Sequence, residues 1–336
     1  MGRLFCTTSL SRWALTGLIA VTAGAASSAA AAADSATSVE EVIVTAQKRA
    51  ENVQDVPSAV QVVNSAQLAS AGVREFTDLT KVAPSLIVRP AEQPVNSSIS
   101  IRGVGTFAFS IGVEPSVAIQ VDDVPVAFQA RAFTDRSDIE HIEVLRGPQS
   151  TLYGKSASAG LINIVTRAPT REFSGSVNAL ATTDEEYSLG AAISGPITDQ
   201  LLFRISGNYD DFNGNARNVF NGKKASGREF AAVHGKLVWT PTDKFTATVG
   251  WNYVDGETTV GRPFIALAPN ATLRGNPLYP PSVFEAGINV GPNNTRFANN
   301  FNARTDYEDN SQSLKLEYDF GPATLVSVTG NDNYTV

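Results

Sequence analysis

Residues 139–167 read IEHIEVLRGPQSTLYGKSASAGLINIVTR, and this stretch decides the fold. A β-prone run at 141–145 meets a turn at Arg146-Gly147, then a short helix expected to open on Pro148 and stop at Gly154. Proline suits the first helical position, where its missing N–H would have no partner, and glycine suits the left-handed position after a helix end. A second β run follows at 161–166. Upstream the pattern is that of a small α/β unit. Downstream it changes to long alternating strands.

Composition narrows the function classes. The chain has 336 residues, enough for two domains. Charged residues make up 18%, the formal net charge is −7, and no basic cluster occurs, which excludes a nucleic-acid partner. One cysteine, Cys6, and two histidines, His141 and His234, leave no disulfide or metal centre to expect, and no cofactor loop is present. Arg3 and Arg12 flank the start of an Ala-rich apolar stretch at 13–26, and small residues run to Ala33. That layout is a secretory signal peptide, expected over residues 1–33. Beyond it no run of about 18 apolar residues occurs, so no transmembrane helix is expected.

Residues 34–56 form an arm with one β-prone island around Val42, Ile43, Val44, Thr45 and Ala46. Such an island can add as a strand to another protein's sheet edge, or form a short strand of its own domain. Residues 57–168 read as the α/β unit. Val60 to Val63 is a β run, and Asn64 with Gln67 makes a capping-box start for a helix through Ser70. A second helix is expected over 75–82, ended by Pro84. SISIR at 98–102 is a strand running into Gly103-Val104-Gly105, which lacks the residues of a phosphate loop. Strands at 117–121 and 124–127 flank an Asp122-Asp123 turn. Two connections rich in aromatics carry Phe107 and Phe109, and Phe128, Arg131 and Phe133; they are either core loops or a ligand-facing apex.

From Phe173 onward apolar and polar residues alternate over seven strands, with residues 169–336 forming one region. Leu201, Phe203, Ile205 and Tyr209, for example, oppose Arg204, Ser206, Asn208 and Asp210. Connections at one end are short (195–200, 240–244, 321–322) and those at the other are long and rich in Asn and Gly (213–229, 255–310). This describes an antiparallel transmembrane β-barrel. Seven strands leave two edges, which lipid does not tolerate, and a barrel of about eight has no room for a domain inside. The expectation is the first third of a much larger, plugged barrel.

The motifs EEVIVTAQKRAENVQDVPSAV (40–60), SISIRGVG (98–105), VAIQVDDVPV (117–126) and the opening stretch resemble the box and plug domain of TonB-dependent outer-membrane receptors. The resemblance implies an α+β plug inside a 22-stranded antiparallel transmembrane β-barrel, no enzymatic activity, and outer-membrane lipid around the barrel. It implies that Val42, Ile43, Val44, Thr45 and Ala46 pair with the energy-coupling protein TonB, and that substrate meets the plug apex. It also implies that Arg102 and Arg146 pair with barrel carboxylates, with Glu143 helping to organise Arg146. His141 reads as a surface strand residue. Asp123 stands where the family commonly has glycine, and the short arm leaves no room for a periplasmic signalling domain.

The function this favours is proton-gradient-coupled uptake of a scarce ligand, foremost a ferric siderophore. Cobalamin, an oligosaccharide or an aromatic compound are alternative cargoes. A diffusion porin would need neither plug nor box, and a non-transporting surface-binding barrel would not need the box.

Overall fold

The computed structural model describes residues 43–45, 48, 51–73, 76–89, 97–106, 113–126, 129, 131, 138–263, 287–301 and 303–336. The leader, Val42, Ala46, Phe107, Phe109, Phe128 and Phe133 lie outside the described residues.

A two-stranded hairpin pairs β1 (Ile43–Val44) with β2 (Glu51–Asn52). Next come β3 (Ala59–Asn64) and helix α1 (Ser65–Ser70). The capping box is present in full: Gln67 N–H donates to Asn64 Oδ1 at 2.8 Å and Asn64 N–H to Gln67 Oε1 at 3.0 Å. The second expected helix is a 3-10 helix over Phe76–Lys81. A small sheet follows from β4 (Leu86–Arg89), β5 (Ser98–Ile101) and β6 (Val104–Gly105). The remaining strands of this unit are β7 (Val117–Val121), β8 (Val124–Pro125), β9 (Ile139–Arg146) and β10 (Gly160–Thr166).

The central sheet has the order β3-β9-β10-β7-β8, with β10 antiparallel to β9 and parallel to β7. Period-two alternation gives it two faces. Ile142, Val144, Ile162, Ile164, Val117 and Ile119 share one face with Phe76, Leu79, Leu86, Ile99 and Ile101 as the main core. Leu145 and Leu161 lie in a second cluster with Val44 and Val56. Helix α2 (Ser150–Tyr153) starts later than the sequence suggests: Gln149 is its cap position, so Pro148 lies outside it. Gly154 does take a positive φ of 71°. At Gly160 a side chain would strike the Leu145 carbonyl and the Ile101 side chain, so β10 enters beside β9 only as glycine.

The second part is a seven-stranded antiparallel sheet: β11 (Ser174–Ala181), β12 (Glu186–Thr198), β13 (Leu201–Phe212), β16 (Arg228–Thr242), β17 (Phe245–Val260), β19 (Ala303–Asp319) and β20 (Thr324–Thr335). The intervening labels belong to a small loop sheet of β14 (Ala216–Asn218), β15 (Lys224–Ala225) and β18 (Arg296–Phe297). Its buried Asn218 carboxamide accepts the N–H groups of Phe220 and Asn299 and donates to the Asn299 carbonyl, tying the two long loops together.

The sheet's outer face exposes Tyr187, Leu189, Ile193, Ile205, Leu237, Trp239, Val249 and Trp251, while Ser194, Arg204, Ser206, Asp210, Asp309 and Ser311 are buried on the inner face. Apolar outside and polar inside is the reverse of a soluble sheet and suits lipid. Among the described residues no helix is long and apolar enough to cross a membrane. The strands run longer than expected, with β19 at 17 residues where about 9–11 suffice to span. The excess carries charge on the outward face, where the strand below it is apolar (Asp255, Glu257, Arg304, Asp306), and this hid it from the alternation pattern. The turns are correspondingly shorter, down to Asp199-Gln200 and Asp243-Lys244.

Candidate functional site

The second face of the plug sheet carries a row of polar side chains, because the register places Gln120, Asn163 and Glu143 opposite one another on β7, β10 and β9. Gln120 Nε2 donates to Asn163 Oδ1 at 3.0 Å, and Asn163 Nδ2 to Glu143 Oε2 at 3.0 Å. The arm docks on this row. Thr45 N–H donates to Glu143 Oε1 at 2.7 Å, and Asn163 Nδ2 reaches Thr45 Oγ1 at 2.9 Å. Lys48 Nζ donates to Gln120 Oε1 at 3.2 Å and lies 4.7 Å from the Tyr153 ring centre. Val44 is 0% exposed against Val56, Leu145 and Leu161.

Glu143 is itself 0% exposed. Burial pushes its carboxyl up, but hydrogen bonds from His141, Asn163 and the Thr45 N–H, with the His141 charge, outweigh this and hold it below 4.5. Burial, followed by the Glu143 and Asp123 charges, pushes the Tyr153 phenol up to about 12. A buried carboxylate is stable only while its donors stay, so the docked arm and Glu143 support each other.

The plug is pinned to the barrel wall by ion pairs. Asp138 takes a bidentate bond from Arg204 of β13, their side chains 7% and 9% exposed. Asp122 and Asp123, at φ of 47° and 70°, turn tightly between β7 and β8. Asp122 binds Lys236 of β16 at 2.9 Å, and accepts Thr166 N–H at 2.9 Å and Thr166 Oγ1 at 2.6 Å. Asp123 binds Lys315 of β19 at 3.0 Å. Arg131 reaches Asp309 at 2.7 Å, Ser311 at 2.5 Å and Asp332 at 3.3 Å. Elsewhere a cavity of about 390 Å³ separates α1 from the β11–β13 wall, lined there by Ser188, Gly190 and Ala192.

The Asp138–Arg204 clamp carries a direct expectation. Asp138→Asn keeps the shape and tolerates the positive φ of 63°, but leaves Arg204 buried without its counter-charge. The expected cost is about 3–5 kcal/mol of plug seating. Cells carrying that variant should become several-fold more sensitive to a bulky antibiotic that the outer membrane normally excludes. Unchanged exclusion would remove this pair from the clamp.

Several expected roles change place. Glu143 does not organise Arg146: residues three apart on a strand point to opposite faces, and Glu143 serves the arm. Arg146 makes one long contact, Nε to the Ala59 carbonyl at 3.5 Å, and Arg102 sits on an exposed turn at φ 52°. Neither has an ion pair among the described residues. His141 is a half-buried partner of Glu143 at 3.1 Å, not a surface residue. Arg131, expected at a ligand-facing apex, is a wall anchor here. The residues missed were Asp122, Asp138, Arg204, Lys236 and Lys315. Their signal was available: Arg204, Lys236 and Lys315 are cations on inward strand positions.

Comparison with known proteins bears on this geometry. Residues 52–161 match the model of the TonB-dependent Receptor Plug Domain. The chain is 36% identical to the pesticin receptor of Yersinia pestis over 165 residues, 48% of this chain and 24% of that protein. It is 32% identical to the iron-regulated outer membrane virulence protein of Vibrio cholerae over 200 residues, 56% of this chain and 30% of that protein. The crystal structure of the ferric yersiniabactin uptake receptor FyuA from Yersinia pestis superposes with a TM-score of 0.66 at 24% identity, over 82% of this chain and 41% of that one. The chain thus spans well under half the length of each of these relatives. Residues 52–161 therefore form a TonB-dependent Receptor Plug Domain, and plug and antiparallel wall together share the fold of outer-membrane receptors of that kind.

Proposed function

We propose that this outer-membrane receptor takes up an iron–siderophore complex by active transport, driven by the inner-membrane proton gradient through TonB acting on Val42, Ile43, Val44, Thr45 and Ala46. The observation that carries the reading is the docking of Thr45 on Glu143. A short β segment held by one buried carboxylate and one small apolar cluster is a segment that can leave. Once out, its backbone is free to add to a partner's sheet edge. The plug it leaves is fixed to the wall by ion pairs, so a pull through the arm has something to work against. Iron as cargo is supported by the relatives' names, one iron-regulated and one a ferric yersiniabactin uptake receptor.

The test uses cells expressing the full-length receptor and radio-iron bound by siderophores from the strain's own iron-starved medium. Accumulation should fall more than ten-fold when a protonophore collapses the gradient, while surface binding persists. Accumulation indifferent to the protonophore would mean passive diffusion. Binding with no accumulation at any time would mean a surface-binding protein.

A further inference from the structure

Asp123 lies between the arm and the barrel wall and touches both. Its Oδ1 is 3.5 Å from Lys48 Nζ on the arm, and its Oδ2 is 3.0 Å from Lys315 Nζ on β19. Its neighbour Asp122 is committed to Lys236 and Thr166, which fixes the turn and leaves Asp123 facing the two lysines. Each lysine has a second partner: Lys48 has Gln120 at 3.2 Å, and Lys315 has Glu317 at 3.2 Å. Two ammonium groups on one carboxylate repel each other and divide its charge, so each weakens the other's hold.

We propose that Asp123 is a positioning residue through which the barrel wall registers whether the arm is docked, with Lys48 and Lys315 competing for its carboxylate. When the arm leaves, Lys48 goes with it and Asp123 passes wholly to Lys315. The β7–β8 edge is then held more firmly to the wall at the moment the arm is pulled, and the plug gives way elsewhere. The meaning of this hand-over rests on reading residues 42–46 as the coupling segment; the competition itself does not.

Competition has a sign that simple packing lacks. Val44→Cys, in the purified full-length mature receptor with any other cysteine replaced by serine, reports undocking by its rate of maleimide labelling, since position 44 is shielded while docked. Asp123→Asn should speed labelling by ~2–5-fold, the range for a partly exposed ion pair. Lys315→Gln should slow it by a similar factor, and should have no effect once Asp123→Asn is present. Lys48→Gln, which alters only the arm, should match Asp123→Asn and likewise abolish the Lys315→Gln effect, covering the case in which Asp123→Asn misfolds. Lys315→Gln leaving the rate unchanged or raising it, or still slowing it beside Lys48→Gln, would overturn the proposal. No partner, ligand or gradient enters this assay, so its failure is separable from a failure of the transport reading.

Discussion

Glu143→Ala is expected to free the arm, raising maleimide labelling of Val44→Cys in the full-length receptor by roughly a hundred-fold. Three donors lose a bond to Glu143 at once: the Thr45 N–H, the His141 ring, and Asn163 Nδ2, which keeps only Thr45 Oγ1. Leaving such buried donors unpaired costs about 3 kcal/mol, which converts to that factor. Glu143→Gln, keeping one acceptor oxygen, should fall between. The acid dependence has a definite sign. Glu143 is held below 4.5 when the arm is docked, so its stabilising contribution is complete above pH 4.5 and is lost as pH falls through the lowered value. Labelling should therefore stay slow down to about that pH, quicken below it, and lose this dependence in Glu143→Gln. Slow labelling in Glu143→Ala would mean that Val44 packing alone holds the arm.

Much of this was legible in the residues, for physical reasons that can be named. The seven-strand sheet announces itself because Leu201, Phe203, Ile205 and Tyr209 must face lipid while Arg204 and Asp210 cannot. Helix α1 is legible from the Asn64–Gln67 box because capping is local. The site was harder to read. Glu143 and Asn163 look like ordinary positions in β runs, and only the β9–β10 register reveals that they meet beneath the arm. The clamp was sought at other positions: Arg102 and Arg146 were expected to meet barrel carboxylates, whereas among the described residues Arg131 meets Asp309 and Asp332, and Asp122, Asp123 and Asp138 meet Lys236, Lys315 and Arg204. Pairings between distant segments are set by how two domains nest, and local propensity carries no record of that. The second helix came out as 3-10 over Phe76–Lys81, since with Pro84 close behind its last turn has no room to continue.

Ile43→Pro is expected to abolish energised accumulation while leaving surface binding of the ligand intact. Proline removes the backbone N–H that a strand donates and fixes φ, so residue 43 can no longer add to a partner's sheet edge. In the resting receptor residue 43 pairs with Asn52 in a two-stranded hairpin outside the plug's central sheet, so the plug core and the wall clamps should persist. A conservative Ile43→Val control keeps the strand and should transport normally. The decisive measurement follows radio-iron siderophore in cells carrying wild-type, Ile43→Val or Ile43→Pro receptor, with binding and accumulation read from the same samples. Equal binding in all three, with accumulation in Ile43→Pro reduced more than ten-fold to the level of protonophore-treated wild type, is the expected result. Accumulation in Ile43→Pro equal to wild type would contradict strand addition at the arm, and with it the proposed coupling.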